Sequence, residues 1–243
     1  MKNSLSKSQI ERFSRQLVLK NIGAKGQKKI LSSKILIVGI GGLGCPAAEN
    51  LVRAGIGNIG LIDNDIVNLS NIHRQSLFNS KDLKKTKVSV AAKKLKEINP
   101  LTKIKTYKLR LNQNNIENII KNYELIIDGS DNFKTKFLIN DYCIKFKKKL
   151  ITGAISKFDG HIFTFDFKDK KTSSLKNFYQ EKEISDDILN CEFEGVLGTT
   201  ASIVGATQAN EALKMIMEIG QNLKNQILII DLLNLNFRKV KFK

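Results

Sequence analysis

Four glycines follow an apolar run near the start of the chain, in the stretch ILIVGIGGLGC at residues 35–45. Gly39, Gly41 and Gly44 form the pattern G-x-G-x-x-G, in which a tight turn, a close approach of backbone to phosphate and the packing of the next helix each favour glycine. Asp63 ends the next predicted strand, where an acid accepts ribose hydroxyls. The pattern predicts a nucleotide site, but it leaves open whether the phosphates belong to a redox dinucleotide or to ATP.

Charged side chains further along favour a triphosphate. Arg74 is the second-last residue of the segment DNDIVNLSNIHRQ at residues 63–75, and Lys87 lies on the next predicted helix. Asp131 follows the fourth predicted strand, at the sheet edge where ligands bind. Two cations and acids placed to hold a metal suit a triphosphate and its Mg²⁺. Singly, Arg74 and Lys87 resemble ordinary surface cations and Asp131 a helix N-cap.

The elements that would position these residues alternate between strand and helix. The capping-box pattern SQIE at residues 8–11 predicts the start of a first, basic helix. At βαβ spacing the sheet should be mainly parallel through residue 153. The predicted strands are 34–38, 58–62, 104–107, 124–128 and 150–153, and the predicted helices are 8–20, 43–54, 84–98, 114–122 and 133–146.

The pattern changes after residue 153. The alternating stretch HIFTFDF at 161–167 is typical of an antiparallel strand, and the polar, aperiodic residues 168–194 predict a long loop. A helix at 196–219 and strands at 226–231 and 237–242 follow. We therefore expect one α/β domain over residues 1–243, with a Rossmann-like, doubly wound, mainly parallel sheet that ends in antiparallel strands.

Composition narrows the class of protein. The 243 residues are 42% apolar, enough for one large core. The first 20 residues lack the apolar segment of a signal peptide, and no apolar run reaches the roughly 18 residues of a membrane span. The three cysteines (Cys45, Cys143 and Cys191) form no C-x-x-C pair. These features predict a reduced, cytoplasmic protein that does not enter the membrane.

The net charge of +18 raises the question of nucleic-acid binding. The basic residues are scattered over five clusters, which favours a generally solvated basic surface. The alternative interpretations are steering of an acidic protein partner and binding of RNA.

Longer stretches of the chain resemble the MoeB/ThiF/HesA adenylyltransferases, bacterial relatives of the ubiquitin-activating enzymes. The resemblance runs from Arg12 to about Phe242, and such dense matching is far more specific than the glycines alone. It rests on the stretches RFSRQLVL, KILIVGIGGLGCPAAENLVRAGIGNIGLIDNDIVNLSNIHRQSLF, KTKVSVAAKKLKEINP, DGSDNFKTKFLIND and GVLGTTASIVGATQANEALKMI.

The resemblance implies ATP-dependent adenylation of the C-terminal glycine of a small ubiquitin-like sulfur carrier that ends in Gly-Gly. It implies a nucleotide core at 34–153 and a carrier-binding part at 154–243. The carrier would serve molybdopterin, thiamine thiazole or another sulfur pathway, with a sulfurtransferase or cysteine desulfurase as a further partner. The implied nucleotide-binding residues are Gly39, Gly41, Gly42, Gly44, Asp63, Asp65, Asn71, Arg74, Gln75, Lys87 and Asp131, the last as the Mg²⁺ ligand.

The same resemblance assigns catalytic roles. Arg74, Lys87 and Asp131 would act in their own chain, and Arg15 matches an arginine that reaches the γ-phosphate from the other subunit of a homodimer. Cys191 matches a loop cysteine that can bond covalently with the carrier. A small residue packed ahead of a helix is an equally good interpretation of Cys191.

The chain also departs from the family. Many members bind a structural zinc through two C-x-x-C pairs, one of which would fall near Ser174 and Asn177, where this chain has SSLKNFYQ. We therefore expect no zinc, and without it the ordering of residues 168–194 is an open question. Two other classes stay open at this point: an NAD(P)-dependent Rossmann oxidoreductase, and an RNA-directed or purely binding member of the same superfamily.

Overall fold

The fold is known from a computed structural model, which describes residues 4–179 and 195–241. Its helices are α1 Lys7–Arg12, α2 Ser14–Leu17, α3 Gly23–Ser32, α4 Gly44–Ala54, α5 Lys87–Ile98, α6 Ile116–Ile120, α7 Phe133–Lys145, α8 Leu175–Phe178 and α9 Gly198–Met217. Its strands are β1 Lys34–Val38, β2 Asn58–Ile62, β3 Lys103–Tyr107, β4 Leu125–Asp128, β5 Lys149–Ser156, β6 Asp159–Asp166, β7 Gln226–Asp231 and β8 Asn236–Lys241.

One eight-stranded sheet runs through the described residues in the order β3-β2-β1-β4-β5-β6-β7-β8. Strands β1 to β5 pair in parallel, and β6, β7 and β8 continue the sheet in antiparallel pairs. The predicted fold class is therefore confirmed. The register sets Val38 at the end of β1 level with Ile62 of β2 and Asp128 of β4, so the loops that follow these three strands meet at one edge.

Helices cover both faces of the parallel strands. Ile35 and Ile37 of β1 pack into the layer formed with α3, α4, α5 and α9, whereas Leu36 and Val38 pack into the layer formed with α6 and α7. Burial on both faces explains why the central strands are continuous apolar runs and do not alternate. In the described residues no helix is long and apolar enough to cross a membrane.

The N-terminal prediction of one helix over 8–20 is wrong. The chain forms α1 and α2, which are separated at Phe13, because this side chain turns inward and is almost completely buried. The capping box also lies two residues earlier than predicted. Ser6 accepts a hydrogen bond from the Gln9 backbone, and the Gln9 side chain accepts one from the Ser6 backbone.

Helix α3 was not expected from the sequence, because its glycines and lysines resemble a loop. Gly26 lies in this helix, and a Cβ there would stand 3.2 Å from Met217 Sδ. The missing side chain therefore lets α3 pack closely on the end of α9.

The segment after β6 is more ordered up to Tyr179 than the prediction of a loop implied. Ser174 and Asn177 form a capping box at the start of α8, in which the Ser174 backbone N–H donates to Asn177 Oδ1 at 2.8 Å. Many members of the family that the sequence resembles have a cysteine pair at these two positions. The Tyr179 ring lies 4.8 Å from the Phe133 ring in an edge-on contact. Hydrogen bonds and aromatic packing therefore hold this part of the segment.

Two of the glycines after β1 are required by close backbone contacts. Gly39 has a φ of +86°, and a Cβ on Gly44 would lie 1.9 Å from the carbonyl oxygen of Gly39. Gly41 is different, since the nearest atom to a Cβ there would be Gln75 Nε2 at 3.7 Å. The fold thus needs Gly39 and Gly44, whereas Gly41 leaves space on the cavity side.

Gly44→Ala should lower the free energy of unfolding by about 1–3 kcal/mol, because the backbone of the turn must move to admit a methyl group. Gly41→Ala is the matched control and should stay within about 0.5 kcal/mol of the unmodified protein. Urea unfolding measures both. Equal stability of the two variants would contradict the packing argument.

Candidate functional site

A cavity of about 690 Å³ opens where the loops after β1, β2 and β4 meet. It lies at the carboxyl edge of the parallel strands, as expected for a ligand site on such a sheet. Most of the predicted site residues line it: Gly39, Gly41, Gly42, Asp63, Asp65, Asn71, Arg74, Gln75, Lys87 and Asp131. Gly44 supports the loop from behind, at the start of α4.

Asp63 is fixed by the backbone around the glycine loop. Its Oδ2 accepts a hydrogen bond from the Ile40 N–H at 2.8 Å, and its Oδ1 accepts one from the Asp65 N–H at 2.8 Å. Burial raises the pKa of this carboxyl above its usual value, and the nearby Lys87 opposes the rise. The side chain therefore joins the end of β2 to the glycine loop and presents its carboxylate at the cavity wall.

Two cations stand beside the glycine loop. The Lys87 side chain is only 6% exposed, and its Nζ lies 3.0 Å from Asp65 Oδ2. Arg74 donates from Nη1 to the Ser70 carbonyl at 2.9 Å. A Cβ on Gly42 would lie 3.7 Å from the Cγ and Cδ atoms of Arg74, so the arginine stem covers the loop. Both side chains therefore line the same cavity as the glycine loop.

Gln75 and Asn71 complete this side of the cavity. Gln75 is buried, and its Oε1 has no hydrogen-bond partner in the part of the chain that the structure describes. Asn71 ends a single turn of 3₁₀ helix, Leu69–Asn71, and its Oδ1 accepts from the Asn68 N–H at 3.4 Å. A buried amide oxygen without a hydrogen-bond partner lowers the stability of the folded protein unless a ligand or water donates to it.

Asp131 is exposed and lines the same cavity. Its Oδ1 accepts a hydrogen bond from Asn132 Nδ2 at 3.1 Å. Asn132, and not Asp131, is the N-cap of α7, since its Oδ1 accepts from the Thr135 N–H at 2.9 Å. The N-cap interpretation of Asp131 is therefore wrong. Within residues 4–179 and 195–241, no group of three or more His, Cys, Asp and Glu side chains could hold a metal ion.

A largely buried polar cluster that the sequence did not predict adjoins the cavity, which Ser130 and Lys136 line. This Asp128 cluster consists of Asp128, Ser130, Lys136, Thr152 and Gln208. Asp128 is 0% exposed, and Lys136, which lines the cavity, is 4% exposed. Lys136 Nζ lies 3.1 Å from Asp128 Oδ2 and donates to the Gly153 carbonyl at 2.6 Å.

The spacing of α7 contained a signal for this burial. Lys136 stands at helical spacing with Phe133, Phe137 and Asn140 on one face of the helix, so a lysine occupies a position that periodicity assigns to the interior. Among so many lysines, its identity alone gave no warning.

Lys136→Met should lower the free energy of unfolding by about 3–5 kcal/mol, because it leaves the Asp128 carboxylate buried without its countercharge. Lys134→Met removes an exposed charge from the same helix and should change stability by less than about 0.5 kcal/mol. Adding Asp128→Asn to Lys136→Met should recover part of the loss. Urea unfolding of the four proteins is the measurement, and a mild effect of Lys136→Met alone would show that the pair is not critical.

The remaining predicted residues lie elsewhere. Arg15 is exposed on α2, does not line the cavity, and makes no hydrogen bond or ion pair with the described residues. Its neighbour Arg12 donates to the Ile98 carbonyl at 2.9 Å within the same chain. Cys191 lies outside the described residues. Cys45 is buried beside the glycine loop, and burial raises its thiol pKa to about 12, as expected of a packing residue.

A glycine loop, an acid after β2 and clustered cations on a doubly wound sheet define a nucleotide-binding α/β protein. The family model described as "ThiF family" matches residues 13–243. The chain belongs to the ThiF family.

Curated relatives carry names for adenylyl transfer. "Sulfur carrier protein adenylyltransferase" of Thermus thermophilus is 35% identical, over 97% of this chain and 88% of that protein. "Probable molybdopterin-synthase adenylyltransferase" of Gracilaria tenuistipitata var. liui is 39% identical, over 98% of this chain and 66% of that protein. "Probable adenylyltransferase/sulfurtransferase MoeZ" of Mycobacterium tuberculosis is 33% identical, over 99% of this chain and 62% of that protein. The chain thus spans about two thirds or less of the length of two of these three relatives.

Solved structures show the same fold at lower identity. Escherichia coli MccB with MccA-N7isoASN has a TM-score of 0.83 at 20% identity and covers 98% of this chain and 73% of that one. PaaA has a TM-score of 0.83 at 22% identity, and the match covers 100% of this chain and 76% of the PaaA chain.

Proposed function

We propose that the protein adenylates the C-terminal glycine of a small ubiquitin-like sulfur carrier with ATP and releases pyrophosphate. The observation that carries this proposal is the meeting of Asp63, Arg74, Lys87 and Asp131 around one glycine loop. The names of the curated relatives support the same reaction. ATP–pyrophosphate exchange in the presence of candidate carriers ending in Gly-Gly tests it directly.

The chemistry explains why cations gather here. A carboxylate attacks the α-phosphate and pyrophosphate leaves, so anionic groups must approach one another. Arg74 and Lys87 stand beside the loop and reduce this repulsion as charge moves onto the leaving oxygens. No general base is required, because a terminal carboxyl is already ionised near neutral pH.

The nucleotide is held by groups with separate tasks. Asp63 accepts the ribose hydroxyls, while Gly41 and Gly42 let the phosphates approach backbone amides. An oxidoreductase site would need little beyond these contacts, and it gives no task to Arg74 and Lys87. The described groups therefore favour ATP over a nicotinamide dinucleotide.

The residues present fit a magnesium ion. Mg²⁺ takes hard oxygen ligands and is often bound by one or two carboxylates plus substrate phosphates, with waters completing the shell. Asp131 supplies such a carboxylate at the cavity wall, and its Oδ2 makes no hydrogen bond to the described residues. When bound, the ion would neutralise phosphate charge. Asp131 is therefore the proposed ligand, although a cluster of acids is lacking among the described residues.

The partners follow from the same proposal. The carrier is a small protein with a free Gly-Gly end, and relatives named as sulfurtransferases point to a sulfur-transfer step after adenylation. The reaction would take place in the cytoplasm, and the +18 charge would assist encounter with an acidic partner. Molybdopterin, thiazole and other sulfur pathways remain alternatives for the carrier.

Asp131→Ala should lower ATP–pyrophosphate exchange by at least about 100-fold, because it removes the proposed ligand of the metal ion that stabilises negative charge in the transition state. Stability to urea should stay close to that of the unmodified protein, since the side chain is exposed. Asp141→Ala, which removes an exposed carboxylate of α7 outside this cavity, is the matched control and should retain full activity. Near-normal exchange by Asp131→Ala at saturating Mg²⁺ would reject the metal role.

Arg15 is proposed to complete the site of a second subunit, and mixed dimers test this. Arg15→Ala and Asp131→Ala should each be inactive alone. If sites are shared, a mixed dimer contains one site with both lesions and one intact site. After random exchange of subunits about a quarter of all sites should be intact, so the mixture should regain roughly a quarter of normal exchange activity.

The mixing experiment needs verified subunit exchange, for example by mass spectrometry of differently tagged chains. If Arg15 acts in its own chain, every site in the mixture keeps one lesion. An inactive mixture despite verified exchange would then reject the shared site while leaving the adenylation proposal standing.

A further inference from the structure

The two carboxylate oxygens of Asp128 serve different parts of the molecule. Oδ2 faces the core groups, since Thr152 Oγ1 donates to it at 2.5 Å and Lys136 Nζ lies 3.1 Å away. Oδ1 accepts two hydrogen bonds from Ser130, one from its N–H at 2.9 Å and one from its hydroxyl at 2.6 Å. The carboxylate is thus anchored on one side and holds the turn before Asp131 on the other.

Backbone contacts fix the start of the same turn. Gly129 N–H donates to the Val38 carbonyl at 2.9 Å. A Cβ on Gly39 would lie 2.8 Å from the Gly129 carbonyl oxygen, so the turn rests directly against the glycine loop. At its other end, Asp131 is followed by Asn132, the N-cap of α7. Ser130 therefore lies between two fixed points, immediately before the exposed carboxylate.

We propose that Ser130 is a positioning residue for Asp131. Its hydroxyl binds the buried Asp128 carboxylate, and this bond holds the turn so that the Asp131 side chain faces the cavity at the place of the divalent cation. Hydrogen bonds to an ionised acceptor are short and strong, and the Lys136 pair keeps Asp128 in place. The inference rests on the proposed role of Asp131 in adenylation and adds the residues that orient it.

The position of the Asp131 carboxylate matters because of the geometry that the metal ion requires. Mg²⁺ requires nearly ideal octahedral ligands at about 2.0–2.1 Å. A turn that relaxes by a fraction of that distance would weaken coordination while leaving the rest of the nucleotide contacts intact. Loss of the Ser130 hydroxyl should therefore affect the metal-dependent part of nucleotide binding and little else.

The test is the Mg²⁺ enhancement, defined as the affinity for a non-hydrolysable ATP analogue with Mg²⁺ divided by its affinity without. Isothermal titration calorimetry measures it on the full chain for Ser130→Ala, Asp131→Ala and the double variant. Thr152→Val is the matched control, because it removes a hydroxyl from the same carboxylate but from Oδ2. Urea unfolding reports the stability of every variant.

Ser130→Ala should reduce the Mg²⁺ enhancement by about fivefold, the net loss expected for one ordinary hydrogen bond, because the Ser130 N–H still donates to the same Asp128 oxygen. Asp131→Ala should reduce it by at least about tenfold, and adding Ser130→Ala should cause no further loss, because the serine acts through the aspartate. Thr152→Val should lower stability at least as much as Ser130→Ala. It should leave the enhancement within about twofold of normal, because Lys136 still holds Oδ2 and both bonds from Ser130 to Oδ1 are kept.

Different failures identify different errors. A full enhancement in Ser130→Ala, or equal further losses from it with and without Asp131, would overturn the positioning role alone. An unchanged enhancement in Asp131→Ala would reject the metal ligand, and with it this inference. Failure of the unmodified protein to bind the analogue would reject the nucleotide site itself.

Discussion

The direct contact between two strand-end turns, at Gly39 and Gly129, is the constraint on which the site depends. The sheet order places β1 between β2 and β4, and the chain leaves β1 toward α4 on one face and leaves β4 toward α7 on the other. Such a reversal of strand order opens a crevice between the two loops. The backbones touch at the base of this crevice, with no room for a side chain. The glycine loop and Asp131 thereby line one cavity.

Charge in this protein has more than one use. Several lysines donate to carbonyls at or near the ends of helices: Lys29 to Met217, Lys149 to Met215, and Lys148 to Lys121. Cations at these positions are favourable, because the carboxyl end of a helix carries partial negative charge. Some of the lysines that contribute to the net charge of +18 thus stabilise helix ends. Of the two cations beside the glycine loop, Lys87 differs from these lysines, because it is largely buried and pairs with Asp65.

The sequence was sufficient wherever local pattern and burial agree. Apolar runs predicted the strands, the glycine spacing predicted the loop, and the resemblance assigned Asp63, Arg74 and Lys87 to a site whose cavity they line. The break at Phe13 and the helix α3 could not be predicted, because both depend on contacts with distant parts of the chain: Phe13 packs against Gly55, and Gly26 against Met217. Lys136 is an intermediate case, since the helical spacing of α7 marked its position as buried, whereas its pairing with Asp128 at the end of β4 was not expected.

The hydrogen bonds of Asp63 bear on the thermodynamics of nucleotide binding. Backbone amides of Ile40 and Asp65 hold both of its oxygens within the protein itself. The rotational freedom of this side chain is therefore lost during folding, so a ligand need not restrict it. An acceptor ordered in advance saves roughly the 0.5–1.5 kcal/mol that immobilising a flexible side chain costs on association. The acid after β2 thus contributes to affinity through entropy as well as through the hydrogen bonds that it accepts.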